Sequence, residues 1–216
     1  MRAAIICNGE FPRREYPLNL LSEADIVVCC DGAVRSWERW CRKTGSQRLP
    51  DVVIGDMDSI TPSLQRRYAS VLVHESEQDH NDMTKAVRYI LGRYPEVTAI
   101  SIFGATGKRA DHTIGNLSLL MEYPRLFELG NRSIEIVSDY GVAFAVTDSC
   151  ELFVGEGRSI SIFSPDNSLQ IKSSGLEWPL DDVVFDNWWK ATLNRATSDL
   201  VTLTFSHPSR ALVILD

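Results

Sequence analysis

Pro50-Asp51-Val52-Val53-Ile54-Gly55-Asp56-Met57-Asp58-Ser59 carries a short apolar run that stops at a glycine and continues into two carboxylates one residue apart. Apolar residues bounded by turn formers read as a buried strand, which puts Asp56 and Asp58 at its C-terminal tip. If the backbone stays extended there, side chains alternate and positions 56 and 58 point to one side, where they could share a divalent cation such as magnesium. A solvated Asp-rich turn that caps the next element explains an isolated D-x-D as well.

Outward from this stretch, short apolar runs alternate with helical patterns. Residues 3–7, 25–30, 52–54, 71–74 and 97–103 read as strands, and 33–40, 62–68, 82–94 and 112–121 as helices. The third helix is the clearest, because Met83, Ala86, Val87, Ile90, Leu91 and Tyr94 recur at three and four residues. Alternation of this kind predicts an α/β fold, a mostly parallel sheet with helices on both faces, whose ligands bind beyond the C-terminal strand ends. Four polar clusters fall at those ends: Asp31-Gly32, residues 55–58, residues 78–82 and residues 104–112. After Pro124 the helical period disappears. Runs at 134–137, 142–146, 159–163, 169–172, 200–205 and 212–215 are β-rich and separated by Gly, Pro, Asp and Asn. They predict a C-terminal antiparallel β-sandwich, with domains at 1–130 and 131–216 and a boundary near 129–132.

The 216 residues are 44% hydrophobic, enough for a proper core. A formal net charge of −7 argues against nucleic acid as a partner and suits a cationic substrate, or an anionic one accompanied by metal. The five cysteines, Cys7, Cys29, Cys30, Cys41 and Cys150, have no C-x-x-C spacing and sit mostly in apolar runs. They read as buried thiols of a cytoplasmic protein. No stretch approaches the length of a membrane span, and the apolar run at 3–7 is too short for a signal segment.

No G-x-G-x-x-G follows the first strand, so a dinucleotide cofactor is not expected. Gly104-Ala105-Thr106-Gly107-Lys108-Arg109 departs from the Walker pattern, yet its glycines and cations ahead of a helix offer a phosphate backbone N–H groups and positive charge; a surface turn with solvated charges fits as well. His112 and Asn116 share a helical face, as a capping His and an interhelical Asn also would. Asp82 sits in the first turn of the clearest helix, where the macrodipole alone favours an acid by about 0.3–1 kcal/mol. A zinc site is not expected at His74 and His80, which have no cysteine at ligand spacing.

Together and in this order, the clusters resemble the thiamine pyrophosphokinases. Asp31-Gly32-Ala33 is similar to the family's D-G-A/G, residues 50–59 to P-D-x-x-x-G-D-F-D-S with Met57 for Phe, and residues 78–85 to Q-D-x-T-D-F-x-K with Asn81 for Thr. Residues 104–112 resemble G-A-x-G-G-R-x-D-H with Lys108 for one glycine. The C-terminal likeness is looser: Ser174-Gly175-Leu176-Glu177-Trp178-Pro179-Leu180 resembles S/T-x-G-L-x-W-x-L shortened by one residue, and Thr192-Leu193-Asn194 falls where the family has Ser-Asn, so that Leu193 removes a hydroxyl.

The resemblance implies an ATP-binding catalytic domain, a thiamine-binding and dimerisation domain, and transfer of the β,γ-diphosphoryl unit of ATP to the thiamine hydroxyl with AMP leaving. It implies Asp56, Asp58 and Asp82 as magnesium ligands and, with Arg109, as the catalytic set. Asp31, Gly32, Lys108, Arg109, Asp111, His112 and Asn116 would bind ATP, and Gln78, Asp79, Trp178 and Asn194 thiamine, in a homodimer. Two other classes keep part of the pattern. A magnesium-dependent phosphotransferase or hydrolase acting on another alcohol or nucleotide would retain Asp56 and Asp58, and a non-catalytic nucleotide- or vitamin-binding protein would need neither the acids nor Arg109.

Overall fold

Strands buried on both faces read as unbroken apolar runs, and the N-terminal strands do so. In the computed structural model, which describes all 216 residues, every residue of β2 and β3 is buried. The first unit, Met1–Leu119 with Phe127–Asp139, contains β1 (Arg2–Ile6), α1 (Glu15–Ser22), β2 (Ile26–Cys30), α2 (Val34–Thr44), β3 (Val52–Gly55), α3 (Pro62–Arg67), β4 (Leu72–His74), α4 (Asp82–Arg93), β5 (Ala99–Phe103), the greater part of α5 (Ala110–Leu126) and β6 (Ser133–Ser138). Its strands run in the order β6-β5-β1-β2-β3-β4, all parallel.

The α4 stripe behaves as its periodicity predicts: Met83, Ala86, Val87 and Ile90 are buried, and the helix packs on β1, β2 and β3. Asn81 caps it, its side chain accepting the Thr84 N–H at 3.0 Å. Gly92 lies on the open side, where an added Cβ would meet nothing within 4 Å. Gly92→Ala is therefore expected to raise stability by about 0.5–1 kcal/mol, read as a higher denaturant midpoint with an unchanged slope.

Two N-terminal features differ from the expectation. α1 went unseen because Pro17 interrupts the pattern, although proline is tolerated in a first turn whose N–H groups have no helical partner. α5 runs past the expected end to Leu126 with Pro124 inside its last turn.

The second unit, Leu120–Leu126 with Tyr140–Asp216, holds β7 (Gly141–Val146), β8 (Cys150–Phe153), β9 (Ser159–Phe163), β10 (Ile171–Ser174), β11 (Asn194–Arg195), β12 (Leu200–Phe205) and β13 (Ala211–Leu215). Antiparallel pairing gives β11-β9-β13-β7 on one side and β10-β12-β8 on the other. Ile160, Ile162 and Val213 from the first set share one buried cluster with Ile171, Val201 and Leu203 from the second, which is the core of a sandwich. β8 gives no clear sequence signal, since its Cys-Glu-Leu-Phe leaves Phe153 83% exposed. No helix is long and apolar enough to cross a membrane.

Candidate active site

The chain winds from β1 outward to β4, then returns to place β5 and β6 on the other side of β1. In a sheet wound outward on both sides of its first strand, the loops at the C-terminal strand ends line a crevice, here including those that follow β1 and β5. The two loops are held together by backbone bonds, from Cys7 N–H to Phe103 O at 2.8 Å, Gly9 N–H to Gly104 O at 2.7 Å and Glu10 N–H to Thr106 O at 2.8 Å. A cavity of about 490 Å³ lies here, and Asp31, Asp82, Lys108, Arg109, His112 and Asn116 are in its lining.

Asp31 and Asp82 approach each other across Gly55. A Cβ on Gly55 would lie 3.0 Å from the Asp31 Cβ and 3.2 Å from the Asp82 Cγ, so only glycine admits both side chains. Asp31 is buried; its Oδ2 accepts the Ser59 N–H at 3.0 Å, while Oδ1 has no partner. Burial raises the Asp82 carboxyl above its usual range, Lys85 opposes the rise, and the neighbouring Asp31 and Asp56 add to it. Lys85 lies fully inside, its ammonium 3.5 Å from Asp82 Oδ1 and donating to Glu75 O at 3.0 Å. Asp56 stands at the rim, held below the usual carboxylate range first by the Asp58 N–H at 3.2 Å and then by the Gln78 amide at 3.3 Å.

The period-two geometry expected of Asp56 and Asp58 is not formed. The strand stops at Gly55, Met57 takes a left-handed φ of 68°, and Asp58 is carried into an exposed turn that closes on the Asp56 carboxylate. No three His, Cys, Asp or Glu side chains stand at metal-binding spacing. Asp31 Oδ1 is nevertheless a buried hard oxygen donor without a partner, which a divalent cation or a water bound to one would satisfy.

Among the anion-binding candidates, Gly32 packs on Ser59 at the crevice floor, and Lys108 donates to Asn8 O at 2.7 Å. Arg109 is exposed and paired with Asp111, its Nε 3.1 Å from Oδ1. His112 is exposed at the cavity edge. Asn116 is buried and stitches helices together, accepting from Asn81 at 2.9 Å and donating to Ala105 O at 2.7 Å.

Compared with known proteins, residues 18–130 match the family model "Thiamin pyrophosphokinase, catalytic domain" and residues 141–211 the model "Thiamin pyrophosphokinase, substrate-binding domain". The chain belongs to the thiamin pyrophosphokinase family. It is 29% identical over 205 residues to thiamine pyrophosphokinase 3 of Oryza sativa subsp. japonica, covering 83% of this chain and 73% of the relative. With thiamine pyrophosphokinase 1 of the same plant it is 30% identical, covering 83% and 74%. The fold is similar to that of a solved thiamine pyrophosphokinase from Bacillus subtilis, with a TM-score of 0.76 at 20% identity, covering 100% of this chain and 99% of the other. The yeast thiamin pyrophosphokinase structure gives 0.80 at 16% identity, covering 99% and 85%.

Every non-glycine residue with positive φ in this thiamin pyrophosphokinase family member belongs to a segment that resembles a family motif: Asp31 at 42°, Met57 at 68°, Lys108 at 54° and Leu193 at 58°. Such strain gathers at functional sites. In the region matched to the substrate-binding model, Asn194 is buried and fastens Trp178, accepting its N–H at 3.1 Å and donating to its carbonyl at 2.6 Å. Trp178 itself is 54% exposed, so the two expected thiamine contacts meet as one structural pair with a free indole. Gln78 lies against Asp56, whereas Asp79 is exposed.

Sequence reading missed Cys7, Asn8, Cys30 and Ser59 in the cavity wall. The Asn8-Gly9 turn after the first strand was the available signal, since loops at that strand end shape the crevice. Asp31 and Asp82 are both expected at this crevice, and pairing β2 with β3 and packing α4 on them brings the two together.

Proposed function

We propose that this chain is a thiamine pyrophosphokinase that binds ATP in the crevice between the β1 and β5 loops. The carrying observation is the pair of family models, matched in order along the chain, with the first spanning a crevice lined by Asp31, Asp82 and Arg109. The thiamine hydroxyl oxygen bonds to the β-phosphorus of ATP, the bond from that phosphorus to the α,β-bridging oxygen breaks, AMP departs with that oxygen, and the hydroxyl proton passes to a nearby base or solvent.

Asp56, Asp58 and Asp82 are proposed to hold Mg²⁺, with Asp31 beside them; the unpartnered Asp31 oxygen and the hard-donor set support this. Magnesium bound there would neutralise the charge of the transferring phosphates. Arg109 exchanges Asp111 for a phosphate oxygen, and the exposure of the pair leaves the guanidinium accessible to do so. Lys108 and the loop amides add positive potential, while Asn116 holds the β5 loop in shape through Ala105. Gln78 orients Asp56 and faces the acceptor.

Thiamine is proposed to use Trp178 as a wall for its cationic ring system, in a homodimer whose partner helps to enclose it; exposed Trp178, Trp188 and Trp189 in the second unit support both. A cytoplasmic location agrees with five free cysteines, and the net charge of −7 with the absence of nucleic-acid partners.

The direct test is to incubate the purified protein with ATP and Mg²⁺ and one acceptor at a time. Thiamine should give AMP at a rate well above that with any other alcohol. AMP or ADP formed only with a different acceptor would replace thiamine as the substrate.

A further inference from the structure

Beside the catalytic crevice lies a second cavity of about 660 Å³, walled by residues 9–13 after β1, by α1 and by α2. Four cations line it, Arg13, Arg39, Lys43 and Lys108, against a single acid, Glu10. That concentration runs against the composition of a chain whose net charge is −7. None of the four cations has a carboxylate within ion-pair distance. Unbalanced like charges on one concave surface repel, and an anion relieves the repulsion.

The wall is organised. Ser36, Arg39, Trp40 and Lys43 fall on one face of α2 by their three- and four-residue spacing. Buried Ser36 accepts from the Arg39 guanidinium at 2.9 Å and so orients it, and the Trp40 ring is backed by Trp37 with centroids 4.9 Å apart. Across the cavity, Asp139 fixes the loop by accepting the Arg13 N–H at 2.8 Å and the Arg14 N–H at 2.9 Å. Lys108 lines both cavities, on a backbone whose φ of 54° glycine would adopt more easily.

We propose that this pocket is a second anion site, shaped for a di- or triphosphate group whose attached ring or apolar part lies against Trp40 and Phe11. Guanidinium and ammonium groups together suit phosphate, and a concave site of this size admits a small molecule. The proposal does not rest on the pyrophosphokinase reading, because the diphosphate titration that decides it needs neither thiamine nor metal.

Calorimetric titration with inorganic diphosphate in metal-stripped buffer keeps the anion away from the carboxylates of the crevice. Wild-type protein should bind one diphosphate per chain. The Arg39→Ala/Lys43→Ala double variant should bind about tenfold more weakly or worse, with an essentially unchanged melting temperature and an AMP-forming kcat/KM within about twofold of wild type. ATP titrated under the same conditions should bind at least as tightly as diphosphate if the ring wall contributes, and weaker ATP binding would overturn that part. Absence of diphosphate binding by the wild type, or equal binding by the double variant, would overturn the anion site itself.

Discussion

Asp31→Asn should lower kcat by about a hundredfold or more while leaving the metal-free protein as stable as the parent, or more so. Asparagine keeps the shape of the side chain, tolerates the φ of 42° found here, and still accepts the Ser59 N–H. It loses the charged oxygen, Oδ1, that is buried without a partner. In the metal-free protein that charge is a burden, because Asp31 and Asp56 add to the burial that raises the Asp82 carboxyl. A carboxyl raised on folding contributes its stability below the ordinary carboxylate range and loses it as pH climbs through the folded value. Metal-free wild-type protein should therefore lose some stability as pH rises out of the acid range, and Asp31→Asn should flatten that loss. Magnesium at neutral pH should raise the melting temperature of the wild type and have little effect on the variant. Paired melting curves with and without the ion, read beside AMP formation, check both halves. Asp56→Asn is expected to lose turnover as severely, and retained activity in either variant would remove that residue from the site.

Gly9→Ala should cost about 3 kcal/mol or more and distort the crevice. The added Cβ would fall 2.2 Å from Gly104 O and 2.4 Å from Thr106 O, both backbone atoms that cannot step aside singly. Relief requires the β1 and β5 loops to separate, which breaks the Gly9–Gly104 and Glu10–Thr106 bonds and displaces the loop that carries Lys108 and Arg109. The denaturant midpoint should drop sharply, and any folded fraction should show a raised KM for ATP. A variant of unchanged stability would mean that the loops are not in the close contact described.

Much of this was legible in the residues. Unbroken apolar runs at 26–30 and 52–55 announce doubly covered strands, and the α4 stripe announces a helix and its buried face, because burial on a sheet imposes those periods directly. Asp82 and Arg109 were placed at strand ends by the same logic. What escaped depends on local backbone conformation or on contacts between distant segments. Met57 looks like any apolar residue, yet its left-handed φ ends the extended backbone and forms a turn in which the Asp58 N–H meets the Asp56 carboxylate. Asp31 and Asp82 are expected at one crevice, but the room that Gly55 leaves between them is a fact of three segments that no spacing along the chain records. Asn194, expected at thiamine, is also a structural tie to Trp178 that the sequence does not announce, since a buried amide satisfies backbone groups wherever it can reach them. Leu193 stands 79% exposed where the resemblance leads one to expect a hydroxyl, so the acceptor is less plainly written than the phosphate chemistry.

Direct diphosphoryl transfer to thiamine is the central claim, and phosphorus NMR of a reaction containing the protein, ATP, Mg²⁺ and thiamine tests it. The predicted spectrum shows AMP and thiamine diphosphate growing in equal amounts from the first time points, with no ADP and no thiamine monophosphate. ADP appearing with thiamine monophosphate, or AMP appearing with free diphosphate, would contradict it.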